Sequence, residues 1–189
     1  MQPTIENVLH YAKGLIGLPY RWYRFGEQIT DDDKFYAPSN DAHNDPVPTC
    51  DSLFKQNKCI VCTGVPNLMR RYNGLCVPPP YGTTDAWFHY LQTRGWLEPF
   101  DIQTAALYPH GTLVLRDFTS LEHDQGHVAV IVDEMKILHA YADIPYTQSA
   151  PDENVGVCNI TDLMYSHYYD GHPGYYTHVC RPEHWLLKN

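Results

Sequence analysis

The sequence predicts an α+β domain, with N-terminal helices packed on a central antiparallel β-sheet. Three observations carry that reading. Apolar residues recur at helical spacing in the first half, Val/Ile-rich runs of strand length fill the second, and no internal repeat interrupts the order. At 189 residues the chain fits a single domain over 1–189, large enough for a core without staples.

A first helix is expected over residues 4–16, where Ile5, Val8, Leu9, Ala12, Leu15 and Ile16 form one stripe. Gly14 and Gly17 loosen its end, and Pro19 stops it. From about Tyr23 to Lys58 the periodicity disappears into Asp31-Asp32-Asp33, Pro38-Ser39-Asn40-Asp41 and Asn44-Asp45-Pro46, which is turn and loop chemistry. A long polar insertion of this kind is usually functional or flexible. Its three consecutive aspartates lack the spaced ligands of an EF-hand loop, and a solvated charge run explains them better.

Ile60-Val61-Cys62-Thr63-Gly64 opens the next helix, with Val61, Val65, Leu68, Met69 and Tyr72 on one face. Pro66 sits in its opening turn, where a missing N–H costs nothing, and Gly74 after Arg70-Arg71 is a stop. Cys62 is therefore expected at a helix N-terminus, where unpaired N–H groups and the positive dipole end stabilise a thiolate. A free cysteine on an apolar face is more often a small core residue, so Cys62 needs partners before it reads as a nucleophile. Val77 to Gly82 is an extended, proline-rich connector. Thr83 or Thr84 caps a third helix, with Asp85 in its first turn, Trp87, Phe88 and Leu91 facing inward, and Gly95 closing it.

Strands are expected at 111–115, 127–132, 136–140 and 176–180, and their continuous Val/Ile content predicts cover on both faces. Tyr165 to Tyr176 reads as an irregular aromatic loop. Asp133-Glu134-Met135 makes the second and third strands a hairpin, and a loop centred on Asp133 sets His127 opposite His139. Opposed side chains share a face with Cβ atoms roughly 4.5–5.5 Å apart. One imidazole can then take a thiol proton while the other fixes its tautomer, the nucleophile–base–orienter logic of covalent catalysis.

Composition narrows the partners. A net charge of −9 with no basic cluster beyond Arg70-Arg71 argues against nucleic acid and anionic membrane surfaces. Fifteen tyrosines suggest an aromatic-lined groove, although half-buried positions account for most of them. No apolar run reaches membrane-spanning length, and Glu6, His10 and Lys13 break the N-terminus, so neither a membrane span nor a signal peptide is expected. The expectation is a cytoplasmic protein with reduced thiols, or one exported by a non-classical route. Cys59-x-x-Cys62 with His123 and His127 could be drawn as a zinc site, but the gap between the pairs is too long for a zinc-finger loop. A redox CxxC would want a strand before it. No metal and no cofactor are predicted.

Five landmarks occur in one order along the chain: Leu18-Pro19-Tyr20-Arg21-Trp22, Cys62-Thr63-Gly64, Tyr108-Pro109-His110-Gly111-Thr112-Leu113-Val114, Gly126-His127-Val128-Ala129-Val130-Ile131 and Ile137-Leu138-His139-Ala140. Together they resemble the NlpC/P60 superfamily of papain-like cysteine peptidases, in its non-permuted branch. The resemblance implies a papain-like fold with Cys62 as nucleophile, His127 as general base and His139 as the orienting residue. It also implies Tyr20 beside the oxyanion, next to the Cys62 N–H, and Trp22, Thr63 and Gly126 around the substrate. Val61 stands where the family usually has Asp, and Tyr23-Arg24 replace its Gly-Gly, so a bacterial wall peptide is one candidate substrate rather than a given. The resulting expectation is a thiol peptidase or amidase, cleaving an amide or isopeptide bond in a peptide or peptidoglycan-like substrate. The alternatives are a catalytically inactive peptide- or protein-binding module and an acyltransferase.

Overall fold

Thr4 begins the first helix by pairing with its own third residue. Its hydroxyl accepts the Asn7 N–H at 3.2 Å, and the Asn7 carboxamide oxygen accepts the Thr4 N–H at 3.1 Å. In the computed structural model, which describes residues 3–20, 47–56, 58–79, 82–116, 126–142, 156–168 and 176–187, this helix is α1 (Ile5–Lys13). It ends at Gly14, earlier than its apolar stripe suggests. A Cβ on Gly14 would lie 2.8 Å from Cys50 Sγ, so the glycine admits a second helix, α2 (Cys50–Lys55). α2 corrects the expectation of an unstructured insertion over 23–58. Thr49 caps it by accepting the Ser52 N–H at 3.2 Å, a serine/threonine start hidden in a polar stretch. Residues 21–46, including the aspartate run, lie outside the described residues.

α3 (Gly64–Tyr72) buries every residue from Gly64 to Arg71, and α4 (Thr84–Gln92) buries Ala86, Trp87, Phe88 and Leu91. Asn67 ties them together: its carboxamide oxygen accepts Trp87 Nε1–H at 2.8 Å, and its amide donates to the Gly82 carbonyl at 3.0 Å. Arg70, also buried, donates to the carbonyls of Cys76 and Trp185, so its charge closes the C-terminal segment onto α3.

Among the described residues the sheet has six strands in the order β1-β6-β2-β3-β4-β5, every neighbour antiparallel. They are β1 (Glu98–Pro99), β2 (Leu113–Arg116), β3 (His127–Asp133), β4 (Lys136–Ala142), β5 (Gly156–Asp162) and β6 (His178–Cys180). Two were not expected. β1 is too short to announce itself, and β5 mixes Asn159, Thr161 and Asp162 among its apolar residues. A 3₁₀ turn (Ile102–Leu107) precedes β2, and α6 (Pro182–Trp185) follows β6. Part of the expected tyrosine loop is α5 (Leu163–Tyr168), while 169–175 lie outside the described residues. Gly111, at φ +90°, needs to be glycine twice over: a Cβ there would meet Pro182 at 3.1 Å and Ile5 at 3.3 Å.

Both faces of the sheet are covered, as the Val/Ile runs predict. One face (Leu113, Leu115, Val128, Val130, Leu138, Ala140) packs on α1 and α3, and the other (Val114, Ala129, Ile131, Ile137, Val179) packs on Ala105, Leu163 and Tyr176. Among the described residues no helix is long and apolar enough to cross a membrane.

Candidate active site

The segment leading to Cys62 is held by its backbone. Pro19 bridges to Val157 of β5, Tyr20 bridges in parallel to Ile60, and the Ile60 N–H donates to the Pro19 carbonyl at 2.9 Å. A Cβ on Gly64 would fall 2.5 Å from Ile60 Cγ1, so only glycine lets the chain turn directly from this bridge into α3. Thr63 is the N-cap of α3, although its side chain makes no capping bond. Cys62 therefore stands one residue ahead of the cap rather than inside the helix.

The Cys62 sulfur lies within reach of the backbone N–H groups of Thr63, of Val128 and of Cys62 itself. Val128 adjoins His127, so the start of β3 and the start of α3 meet at the thiol. These donors favour a thiolate. Burial opposes them more strongly and pushes the Cys62 thiol up to about 11. That direction runs against the expected resting thiolate.

His127 and His139 are both buried and face one another, with His127 Nε2 2.8 Å from His139 Nδ1 and the rings nearly perpendicular. Their register departs from expectation. The β3–β4 ladder pairs Val130 with Leu138 and Ile131 with Ile137, with a bulge before Asp133 and Met135 at φ +54° in the turn. Extended one step, this register sets Ala129 opposite His139, so the imidazoles meet on the diagonal. A two-residue offset preserves the face, which is why the pair survives the shift. Burial holds His127 well below its usual range, helped by His139 and by the Arg116 guanidinium, and burial takes His139 down to about 3. Both rings are neutral at physiological pH. The other nitrogen of His139, Nε2, is 2.8 Å from Thr161 Oγ1, and Tyr141 stacks on the ring with centroids 4.4 Å apart.

No family model matches the chain, and a comparison with curated protein sequences gives no match. Solved structures do match. A NlpC/P60 family protein from Bacillus cereus ATCC 10987 aligns over 99% of this chain and 42% of its own, with a TM-score of 0.52 and 13% identity. A structure described as similar to lipoprotein, NLP/P60 family, from Staphylococcus aureus subsp. aureus Mu50 aligns over 98% of this chain and 42% of its own, with a TM-score of 0.48 and 15% identity. The chain has the NlpC/P60 fold. It spans about two fifths of the length of the structures it matches.

Within the NlpC/P60 fold the remaining expected residues fall as follows. Tyr20 is half-buried and tied to the Cys62 segment through its bridge to Ile60. Thr63 is buried at the N-cap of α3, and Gly126, at φ +71°, leads into β3 beside His127. Trp22 and His123 lie outside the described residues. Among the described residues no three His, Cys, Asp or Glu side chains converge on a point that could hold a metal. All six cysteines are free thiols, Cys76 exposed and Cys59, Cys158 and Cys180 buried.

Besides Tyr141, which stacks on His139, sequence reasoning missed Arg116 and Thr161. Arg116 pairs across from His127 in the β2–β3 ladder, and its charge acts on both His127 and Cys62. Its place at the end of a recognised strand was the available signal. Thr161 is on β5, the strand that went unrecognised, and had no such signal.

Proposed function

We propose that the protein is a cysteine hydrolase that cleaves an amide or isopeptide bond, with Cys62 as nucleophile, His127 as base and His139 as orienter. The observation that carries this reading is the 2.8 Å contact between His127 Nε2 and His139 Nδ1, one residue from the Val128 N–H that reaches the Cys62 sulfur. Nε2 being taken up by His139, Nδ1 is the nitrogen of His127 assigned to the thiol proton. Resting neutral, the pair separates charge only when a substrate carbonyl arrives. The sulfur then attacks carbon while its proton passes to His127 Nδ1, and the carbonyl oxygen takes the negative charge. The backbone donors around Cys62, with Tyr20 beside them, stabilise that oxyanion, a contribution of about 3 kcal/mol per well-placed donor. The C–N bond breaks as His127 returns the proton to the departing amine, leaving a thioester. Water then attacks the thioester, giving a proton to His127, and sulfur leaves to recover it.

A peptide crosslink or peptidoglycan-like peptide is the substrate class to try first. Screening the purified chain against muropeptides and isopeptide-linked proteins tests the reading. Hydrolysis should be present in the wild type and lost in Cys62→Ala and in His127→Ala, with both variants still folded. Activity retained by Cys62→Ala would end the proposal. One observation favours a second reading, a binding module that has kept the fold: the half-buried Cys62 thiol is pushed up to about 11 despite the backbone donors around it, as at a cysteine with no catalytic use. Peptide binding by the wild type without turnover of any amide would favour that module.

A further inference from the structure

Resting on the reading of His127 as the base, we propose that His167 is a positioning residue that fastens Tyr176 against the His127 ring. Alternation along β3 turns His127 to the same face as Ala129 and Ile131, and that face packs on Tyr176. The rings of His127 and Tyr176 have centroids 6.2 Å apart, within the range of aromatic contact. Tyr176 is buried, and adjacent residues of α5 hold it at both ends. Its backbone N–H donates to His167 Nδ1 at 3.2 Å, and its hydroxyl lies 3.1 Å from Ser166 Oγ. The His167 ring runs nearly parallel to that of Tyr176. Phe100 packs on both, with centroids 5.1 Å from His167 and 6.1 Å from Tyr176. Whatever places Tyr176 therefore also sets one wall around His127.

The backbone bond dictates the state of His167. A ring nitrogen that accepts carries no hydrogen, so the neutral imidazole has its proton on Nε2. Protonation puts a hydrogen on Nδ1 as well, and two donors then face each other in a buried place. The rings around His167 are those of Phe100, Tyr168 and Tyr176, with His127 beyond Tyr176. At the start of α5, Asp162 of β5 accepts the Tyr165 N–H at 3.0 Å and pairs with Lys136 of β4 at 3.3 Å. Neither charge moves His167: burial alone holds it below its usual range. The bond to Tyr176 is thus intact at neutral pH. It is lost as pH falls through the value His167 has in the fold, which lies below the ordinary imidazole value of about 6.5.

The test reads the bond directly and needs no turnover. His167→Asn keeps an acceptor near the place of Nδ1 but cannot titrate as an imidazole does, whereas His167→Leu removes the acceptor. Hydrogen exchange of the Tyr176 amide is followed by NMR, with the Val130 amide in the middle of the sheet as the control for global opening. At neutral pH the Tyr176 amide should be protected in the wild type and in His167→Asn, and about tenfold less in His167→Leu, the worth of one hydrogen bond. As pH falls, protection should drop in the wild type before Val130 opens and stay level in His167→Asn, a contrast that a merely structural role would not produce. Equal pH dependence in these two proteins overturns the proposal. So does a wild-type His167 protonated on Nδ1 in nitrogen-15 NMR at neutral pH. If His167→Leu does not fold, those two measurements decide. On a cleaved substrate, His167→Leu should lower kcat about tenfold with KM unchanged, and His167→Asn should restore the rate. An unchanged kcat in a folded His167→Leu overturns the link to His127, whereas turnover surviving Cys62→Ala overturns the parent reading and leaves the exchange results standing.

Discussion

At Cys62 two physical demands oppose each other. Three backbone N–H groups invite negative charge on the sulfur, and burial forbids it until something else carries the balancing charge. The consequence is measurable. With the thiol pushed up to about 11, the thiolate fraction near neutrality is small and grows about tenfold with each pH unit. Iodoacetamide alkylation of Cys62 should therefore keep climbing between pH 7 and 9, and a plateau already reached at pH 6 would reveal a resting ion pair instead. His139 offers a second test at this scale. His139→Ala removes the partner of His127 Nε2 and should lower kcat by about a hundredfold or more, while Cys62 remains in place. Equal kcat in wild type and His139→Ala would remove His139 from the mechanism. Cys62, His127 and His139 were legible because each belongs to a short motif in an ordered series. Thr161 was not, since a threonine on a half-polar strand looks like any other.

Elements explain why those motifs survived imperfect boundaries. A strand read with the wrong turn still presents the same face if the error is two residues, and this is what happened between β3 and β4. The cysteine helix was legible from its apolar stripe, but its start was not, because Thr63 occupies the N-cap without using its hydroxyl. Gly64 is the hidden determinant there. Gly64→Ala drives a methyl into Ile60 and should cost about 1–3 kcal/mol of stability while displacing the Cys62 turn, so activity falls with it. Unchanged activity and melting temperature would show that the turn has slack. Asn67 carries the next junction. Asn67→Ala orphans the buried Trp87 N–H and the Gly82 carbonyl and should lower stability by about 2–4 kcal/mol in denaturant titration. A change under half a kcal/mol would mean that α3 and α4 are held by packing alone. α2 and β5 escaped the sequence reading for the same reason. Both are short, and polar side chains interrupt their periodicity.

For the molecule as a whole, the buried titratable groups set a pH window for folding. His127 and His139 titrate below their unfolded values, so the stability they confer is complete above about pH 6.5 and is lost as pH falls. Burial raises the thiols of Cys158 and Cys180 to about 12, so their contribution is complete below about pH 8.5 and is lost as pH rises. Each such group changes stability by up to about 1.4 kcal/mol per pH unit outside the window. The melting temperature should be highest between these limits and fall on both sides. A maximum near pH 5 would contradict neutral buried histidines. The α+β architecture was legible at this scale because the periodicity switches once, from helical to strand-like, midway along the chain. The meeting of α3 with the start of β3 was legible only through the ordered motifs, since no local spacing encodes a contact between Cys62 and Val128. That meeting is tested most directly by covalent capture with a peptidyl acyloxymethyl ketone, mapped by tandem mass spectrometry in wild type and His127→Ala. Capture at Cys62 alone, slowed about a hundredfold without His127, is the expected result. Capture spread over the exposed Cys76 and half-buried Cys50, or indifferent to His127, would contradict it.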